Sequence, residues 1–296
     1  MTAKSHQYPL NILLADDGSQ HSQAAIQLLC DIPLRHDTRI TAVSVFSPLL
    51  SSDHEWLRES LASTKACLID SGLHVKSELI LGYPAEKLME FADTLNPDLI
   101  VLGAKGLRAT LGILLGGVAQ QVVEYANWPV LVVRAPYKPP QRVLVAADGS
   151  EYSQSAMEYL FGFPLLETSE IHIIHVMPPA PDPYYPLQSW PPAPEIIQPP
   201  PPEDTEAIKN MLAEQEQFGK QLLSRAEELL SDRGLPVITC LERGDAATEI
   251  IDYIKSNDIG LVVLGSRGLS PVQSWLLGSV SRKIIHYSDC SVLVVK

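Results

Sequence analysis

The sequence predicts two tandem α/β domains, each built on a parallel sheet, and three observations carry that expectation. Short β-branched and apolar runs alternate with helix-length amphipathic segments, the pattern that builds parallel sheets covered by helices. The pattern occurs twice. Residues 143–150 (VLVAADGS) repeat 12–19 (ILLADDGS) at an offset of 131, and residues 264–269 (LGSRGL) repeat 102–107 (LGAKGL) at an offset of 162. Each copy also carries a loop after its fourth strand with the spacing G-x2-G-x9-G. At 296 residues the chain has room for two ordinary domains.

In the first copy, residues 11–15 (NILLA) read as a buried parallel strand, and Asp16-Asp17-Gly18-Ser19 as the turn that ends it. Ser19 caps the next helix, whose apolar face includes Ala24, Ala25, Leu28 and Leu29. Residues 40–46 form the second strand. A helix over about 53–71 is closed by Gly72, and 74–81 is the third strand. Pro84 sits near the first turn of a helix that runs to about 95. Residues 98–102 make the fourth strand, 103–116 the long loop. A helix to about 126 and a fifth strand at 130–134 (VLVVR) complete the copy.

The second copy keeps this order. Its second strand is 171–177, Gly244 matches Gly82, and 291–296 (SVLVVK) matches 129–134. The change in offset means that 31 residues were gained between its second and third strands. The gain is visible: residues 178–202 hold twelve of the chain's 24 prolines. Such a stretch excludes helix and central sheet and favours extended polyproline-type conformations. It also carries Tyr184, Tyr185, Trp190, Ile196 and Ile197, so it reads either as a solvated loop or as a strap over a sheet edge or pocket mouth. Its length makes it the expected first site of proteolysis. A long helix over about 205–232 follows, stopped by Gly234 and Pro236. The short linker 135–140 divides the chain into domain 1, residues 1–138, and domain 2, residues 139–296.

Composition narrows the function. The net charge of −13 argues against a nucleic-acid backbone as partner. No apolar run approaches the ~20 residues that span a bilayer. The N-terminal stretch lacks the apolar region of a signal peptide, so a cytoplasmic location is expected. Cys30, Cys67, Cys240 and Cys290 form no C-x-x-C and lie in apolar segments, where a thiol packs as a small hydrophobe. Neither a disulfide framework nor a zinc site is expected. His172 and His175 are three apart in a strand, hence on opposite faces, and read as structural.

The stretch 265–281 (GSRGLSPVQSWLLGSVS) carries the chemistry. It joins an apolar strand to a helix start with glycines at both ends. Glycine lets backbone approach a ligand, and a helix N-terminus offers unpaired N–H groups and partial positive charge. The run matches neither G-x-G-x-x-G nor G-x-x-x-x-G-K-[ST]. It does match G-x2-G-x9-G-[ST], which resembles the nucleotide-binding signature of the universal stress protein family, and the resemblance extends over nearly the whole chain.

That resemblance implies doubly wound, five-stranded sheets of order 3-2-1-4-5 with helices on both faces, and pairing of the two fifth strands within one chain. Both fifth strands are apolar on both faces and would otherwise be exposed edges; association into a homodimer is compatible with this. Ligands of open α/β sheets bind where strand order reverses, here between the first and fourth strands. By resemblance Asp148 lies at the adenine and ribose end, Val176 offers its backbone to the adenine edge, and Gly244 borders the ribose. Gly265, Arg267, Gly268, Gly278, Ser279 and Ser281 surround ribose and phosphates. Each has a structural alternative: Asp148 and Ser279 as helix caps, Val176 as core, Arg267 as a surface charge.

Copy 1 departs from the pattern. Asp17, Val45, Gly103, Gly106 and Gly116 remain, but Gly117 and Ala119 stand where copy 2 has Ser279 and Ser281. Lys105 and Arg108 add positive charge. The expectation is therefore one ATP, with or without Mg2+, in domain 2, and AMP or adenosine at most in domain 1. No nucleophile–base–orienter trio has a sequence signature. The leading reading is an ATP-binding stress-response or signalling protein with little or no turnover. Two others stay open: a weak ATPase or autophosphorylating enzyme, and an interaction module that uses the proline-rich segment. The sequence names no protein partner.

Overall fold

The structure is a computed structural model that describes residues 9–46, 54–107, 114–180, 204–269 and 277–296. The domain 1 strands are β1 (Asn11–Ala15), β2 (Arg39–Phe46), β3 (His74–Leu81), β4 (Leu99–Gly103) and β5 (Val130–Val133). Its helices are α1 (Gln20–Asp31), α2 (His54–Asp70), α3 (Pro84–Leu95) and α4 (Gly117–Tyr125). Domain 2 repeats them as β6 (Arg142–Ala146), α5 (Glu151–Gly162), β7 (Glu170–Met177), α6 (Asp204–Ser231) and β8 (Val237–Arg243). It closes with α7 (Ala246–Ser256), β9 (Leu261–Gly265), α8 (Ser279–Tyr287) and β10 (Ser291–Val295). Most of the proline-rich stretch, residues 181–203, lies outside the described residues, as does Arg108.

The ten strands form one sheet in the order β3-β2-β1-β4-β5-β10-β9-β6-β7-β8. Each half has the 3-2-1-4-5 order with parallel neighbours. The halves meet antiparallel at β5 and β10, where Val132 opposes Val292 and Leu131 opposes Leu293. This explains the composition of the fifth strands. Every residue of β5 and β10 is buried, and buried backbone must find partners. Two strands too apolar to be edges satisfy each other. The true outer edges, β3 and β8, contain only exposed and half-buried residues.

Helices cover both faces, and each face has one core that crosses the domain boundary. One contains Leu28 and Leu61 of domain 1 with Leu160 and Leu223 of domain 2. The other contains Leu88 and Val122 with Ile250 and Ile284. The junction is also capped reciprocally. Arg134, after β5, donates to the carbonyls of Ile285 and of His286 (3.4 Å) in the last turn of α8, and to Leu114 O at 2.8 Å. Lys296, after β10, donates Nζ to Val123 O of α4 at 2.5 Å. A helix C-terminus leaves carbonyls without intrahelical partners, and a cation there is favourable. Burial lowers the Arg134 pKa and pushes Lys296 down to about 8.

His172 and His175 lie on opposite faces of β7. His172 Nδ1 is 2.8 Å from the Tyr253 hydroxyl of α7, and His175 Nδ1 is 2.7 Å from Ala147 O, with its ring edge-on to Phe218 of α6. The cysteines depart from the expectation that all four pack as small hydrophobes: Cys290 is buried, but Cys67 is exposed on α2. Among the described residues no helix is long and apolar enough to cross a membrane.

Candidate functional site

Two cavities open where the strand order reverses, one between β1 and β4, the other between β6 and β9. The domain 1 cavity encloses about 330 Å3, and Asp17, Val45, Gly103, Gly106 and Gly116 all line it. The domain 2 cavity encloses about 250 Å3. Asp148, Val176, Gly265, Arg267, Gly268, Gly278, Ser279 and Ser281 line it. Gly244 does not. It ends β8, donates its N–H to Met177 O at 3.0 Å, and has the Glu249 carboxylate where a Cβ would stand.

The three loop glycines do different work. A Cβ on Gly103 would lie 2.7 Å from the backbone of His21 and Ser22, and one on Gly265 would lie 2.6–2.7 Å from the Tyr152 backbone. The first glycine therefore lets α1 or α5 pack directly on the end of the fourth strand. At the second glycine the obstacle is the carboxylate that ends the first strand. A Cβ on Gly106 would meet Asp17 Oδ2 at 2.5 Å, and one on Gly268 would meet Asp148 Oδ2 at 2.5 Å. Asp17 bridges the two loops, accepting from Ser19 N at 3.0 Å and Leu107 N at 3.2 Å. Asp148 accepts from Ser150 N at 2.9 Å.

The third glycine is the N-cap of a helix. Gly116 starts α4 and Gly278 starts α8, and neither helix has a side-chain cap. By contrast, Ser19, Ser150 and Asp245 cap α1, α5 and α7 with side-chain oxygens. Among the described residues, the two helices that point at the cavities thus begin with amides that no side chain satisfies, an arrangement suited to an anion. Gly116 N and Gly278 N tie the loops back to Ala104 O and Ser266 O, each at 2.8 Å.

The side chains around α8 divide their roles. Ser279 is exposed at the first helical position. Ser281 is buried, and its hydroxyl donates to Gly265 O at 2.8 Å, so it binds α8 to the end of β9. Both serines line the cavity, but only Ser279 has a hydroxyl that is exposed at the helix start, while the Ser281 proton is directed at the strand. Arg267 donates to the Tyr152 hydroxyl at 3.1 Å, with its guanidinium 5.5 Å from the ring centroid, a cation–π distance.

Domain 1 has a different floor. Asp16, only 2% exposed, lines its cavity. Its Oδ1 accepts from Ser22 Oγ at 2.5 Å and Gly18 N at 2.9 Å, and its Oδ2 from Thr64 Oγ1 at 2.7 Å. At the matching place in domain 2 stands Ala147. Sequence reasoning gave Asp16 no role, although the Asp-Asp against Ala-Asp contrast was visible. His21 packs against Gly103. Its Nδ1 accepts from Ala135 N at 2.9 Å, and burial, then Lys105 and Arg134, lower its pKa. Lys105 does not line the cavity; its carbonyl accepts from Ser19 Oγ at 3.0 Å. Among the described residues no group of three or more His, Cys, Asp or Glu converges as a metal cage.

Comparison with known proteins matches this architecture. The model of the Universal stress protein family fits residues 10–134 and, again, 140–296. A universal stress protein of Bacillus subtilis is 31% identical over 155 residues, which is 52% of this chain and 98% of that protein. One of Mycolicibacterium smegmatis is 26% identical over 309 residues, covering 96% of each. Among solved structures, a universal stress protein from Archaeoglobus fulgidus superposes with a TM-score of 0.65 at 22% identity, covering 97% of this chain and 96% of that one. At that identity the likeness is one of fold.

Proposed function

We propose, from the premise that this chain belongs to the universal stress protein family as two tandem copies, that it is an adenine-nucleotide-binding protein which holds ATP in the domain 2 cleft with little or no turnover. The observation that carries this reading is the start of α8. Its first-turn amides have no side-chain cap, and they open on a cavity that also presents Ser279 and Arg267. Backbone amides at a helix N-terminus, a hydroxyl and a guanidinium together suit a phosphate chain. Deeper in, Ile174, Val176, Ile250 and Leu264 supply apolar walls for a flat base. Asp148 lines the same cavity, beside Gly268.

Among the described residues, domain 1 offers a roomier cavity without the serine or the arginine, and its helix start carries Gly117 and Val118. It fits AMP or adenosine better than ATP. Since Ser281 is engaged with β9, the hydroxyl difference at the phosphate end reduces to Ser279, and Arg267 adds to it. One hydrogen bond to a charged group contributes about 1.5–3 kcal/mol, which favours domain 2 by roughly ten- to 150-fold. Occupancy of the cleft, rather than catalysis, is then the signal.

The reading is tested on purified full-length chain. Denaturing release followed by chromatography should yield close to one adenine nucleotide per chain, and stripped protein should gain thermal stability on adding ATP. Protein that carries no nucleotide and shows no thermal shift with ATP would refute it.

A further inference from the structure

We infer that Cys30 and Cys67 form a peroxide-oxidisable dithiol which, once oxidised, staples α1 to α2 in domain 1. The sulfurs lie 3.9 Å apart across these two neighbouring helices. A disulfide needs about 2.05 Å, so less than ~2 Å of closing motion separates the pair from a bond, within reach of side-chain rotation and a small helix shift. Cys67 is exposed and Cys30 half-buried, which sets the order of events.

The exposed Cys67 thiolate attacks one oxygen of hydrogen peroxide. The O–O bond breaks, hydroxide leaves and takes up a proton, and Cys67 becomes a sulfenic acid. Cys30 then loses its proton and attacks the Cys67 sulfur. The S–S bond forms and the S–O bond breaks, releasing a second water. Two thiols lose two electrons and two protons, and one peroxide is reduced to two waters. Burial, foremost, raises the Cys30 pKa, and the neighbouring Ser71 hydroxyl opposes it, consistent with the resolving rather than the attacking role. The other two thiols are poorly suited to either role: burial pushes both Cys240 and Cys290 up to about 12.

Domain 2 shows that the fold does not require thiols here. At the matching offsets stand Phe161 and Leu229, both half-buried and packed on the core. The helix pair closes there with hydrocarbon. In domain 1 the same helices also grip the cavity floor, since Ser22 of α1 and Thr64 of α2 both donate to Asp16. A staple between α1 and α2 therefore fixes the frame around that carboxylate.

The test is oxidation of the purified full-length chain with stoichiometric hydrogen peroxide, followed by thiol counting and peptide mass mapping without reductant. Free thiols should fall from four to two, the intact mass should drop by two hydrogens, and one linked peptide pair should join Cys30 to Cys67, reversed by dithiothreitol. Cys67→Ser should keep all its remaining thiols. Cys30→Ser should accumulate a Cys67 sulfenic acid that dimedone traps. The oxidised chain should also unfold at higher urea than the reduced chain, a shift absent in Cys67→Ser. Four free thiols after oxidation of the folded chain, a link to Cys240 or Cys290, or cross-links only between chains would overturn the proposal.

Discussion

The two clefts share one frame and differ in the residues set around it. In both, the first loop glycine admits a helix backbone, the second makes room for an aspartate, and the third starts a helix without a side-chain cap. Around that frame, domain 1 carries Asp16, His21, Lys105, Gly117 and Ala119, where domain 2 has Ala147, Tyr152, Arg267, Ser279 and Ser281. The glycine spacing therefore reports first on how a helix packs against a strand. The two copies differ in the residues before, between and after those glycines. Domain 1 keeps all three glycines, and at the first two a Cβ would strike His21, Ser22 or Asp17.

The strongest way to break this comparison is to replace the first glycine. Gly265→Val must displace the Tyr152 backbone, which a Cβ would approach to 2.6 Å. Overpacking costs 1–3 kcal/mol and occasionally more; against backbone, at least about 3 kcal/mol is expected. Gly103→Val should lose a similar amount. Urea unfolding without nucleotide measures both. A stable Gly265→Val chain that only fails to bind ATP would assign that glycine to the ligand instead.

Ser279→Ala should weaken ATP binding by roughly ten- to 150-fold through the loss of one charge-assisted hydrogen bond, without moving the urea midpoint. Its converse, Gly117→Ser, has room, since no described residue lies within 4 Å of a Cβ there. It should raise domain 1 affinity for ATP by a smaller factor, because among the described residues Arg267 has no counterpart lining that cavity. Ser281→Ala should behave differently from Ser279→Ala. It removes a buried bond to Gly265 O, so it should cost about 0.5–1.5 kcal/mol of stability and affect nucleotide affinity less.

The smallest effect concerns pH. The folded His21 pKa lies below its ordinary value of 6.5, so the unfolded chain takes up the proton first on acidification. Stability from the neutral ring is complete above about 6.5 and is lost as pH falls below it. His286, also lowered chiefly by burial, acts in the same direction. Melting temperature should therefore decline more between pH 7 and 5 in the unmodified chain than in His21→Tyr, which copies domain 2. An identical decline would remove His21 from the account.

Much of the fold was legible because its signals are local. Apolar runs bounded by turn residues placed β1 and β3 at their observed bounds and β7 within one residue. The repeat offsets located the second domain, and the apolar fifth strands signalled that they had to be covered. The site was legible to the level of which residues line the cleft, with Gly244 outside it, since lining follows from topology and spacing. Side-chain direction was not. Whether Ser281 turns to a ligand or to Gly265 O depends on the rotation of α8 against β9, which periodicity leaves open. The approach of Cys30 to Cys67, 37 residues apart, depends on how α1 crosses α2. The capping of α8 by Arg134 and of α4 by Lys296 depends on the domain junction. None of these distances is written in a local pattern.

Calorimetric titration of the nucleotide-free full chain with ATP tests the central claim, that the nucleotide is held at the start of α8. A stoichiometry near one is predicted. Gly268→Val, whose Cβ would strike Asp148 Oδ2, should abolish the binding isotherm, and the equivalent Gly106→Val in domain 1 should leave it in place. Two equal sites in the unmodified chain, or an isotherm lost with Gly106→Val and kept with Gly268→Val, would contradict the account.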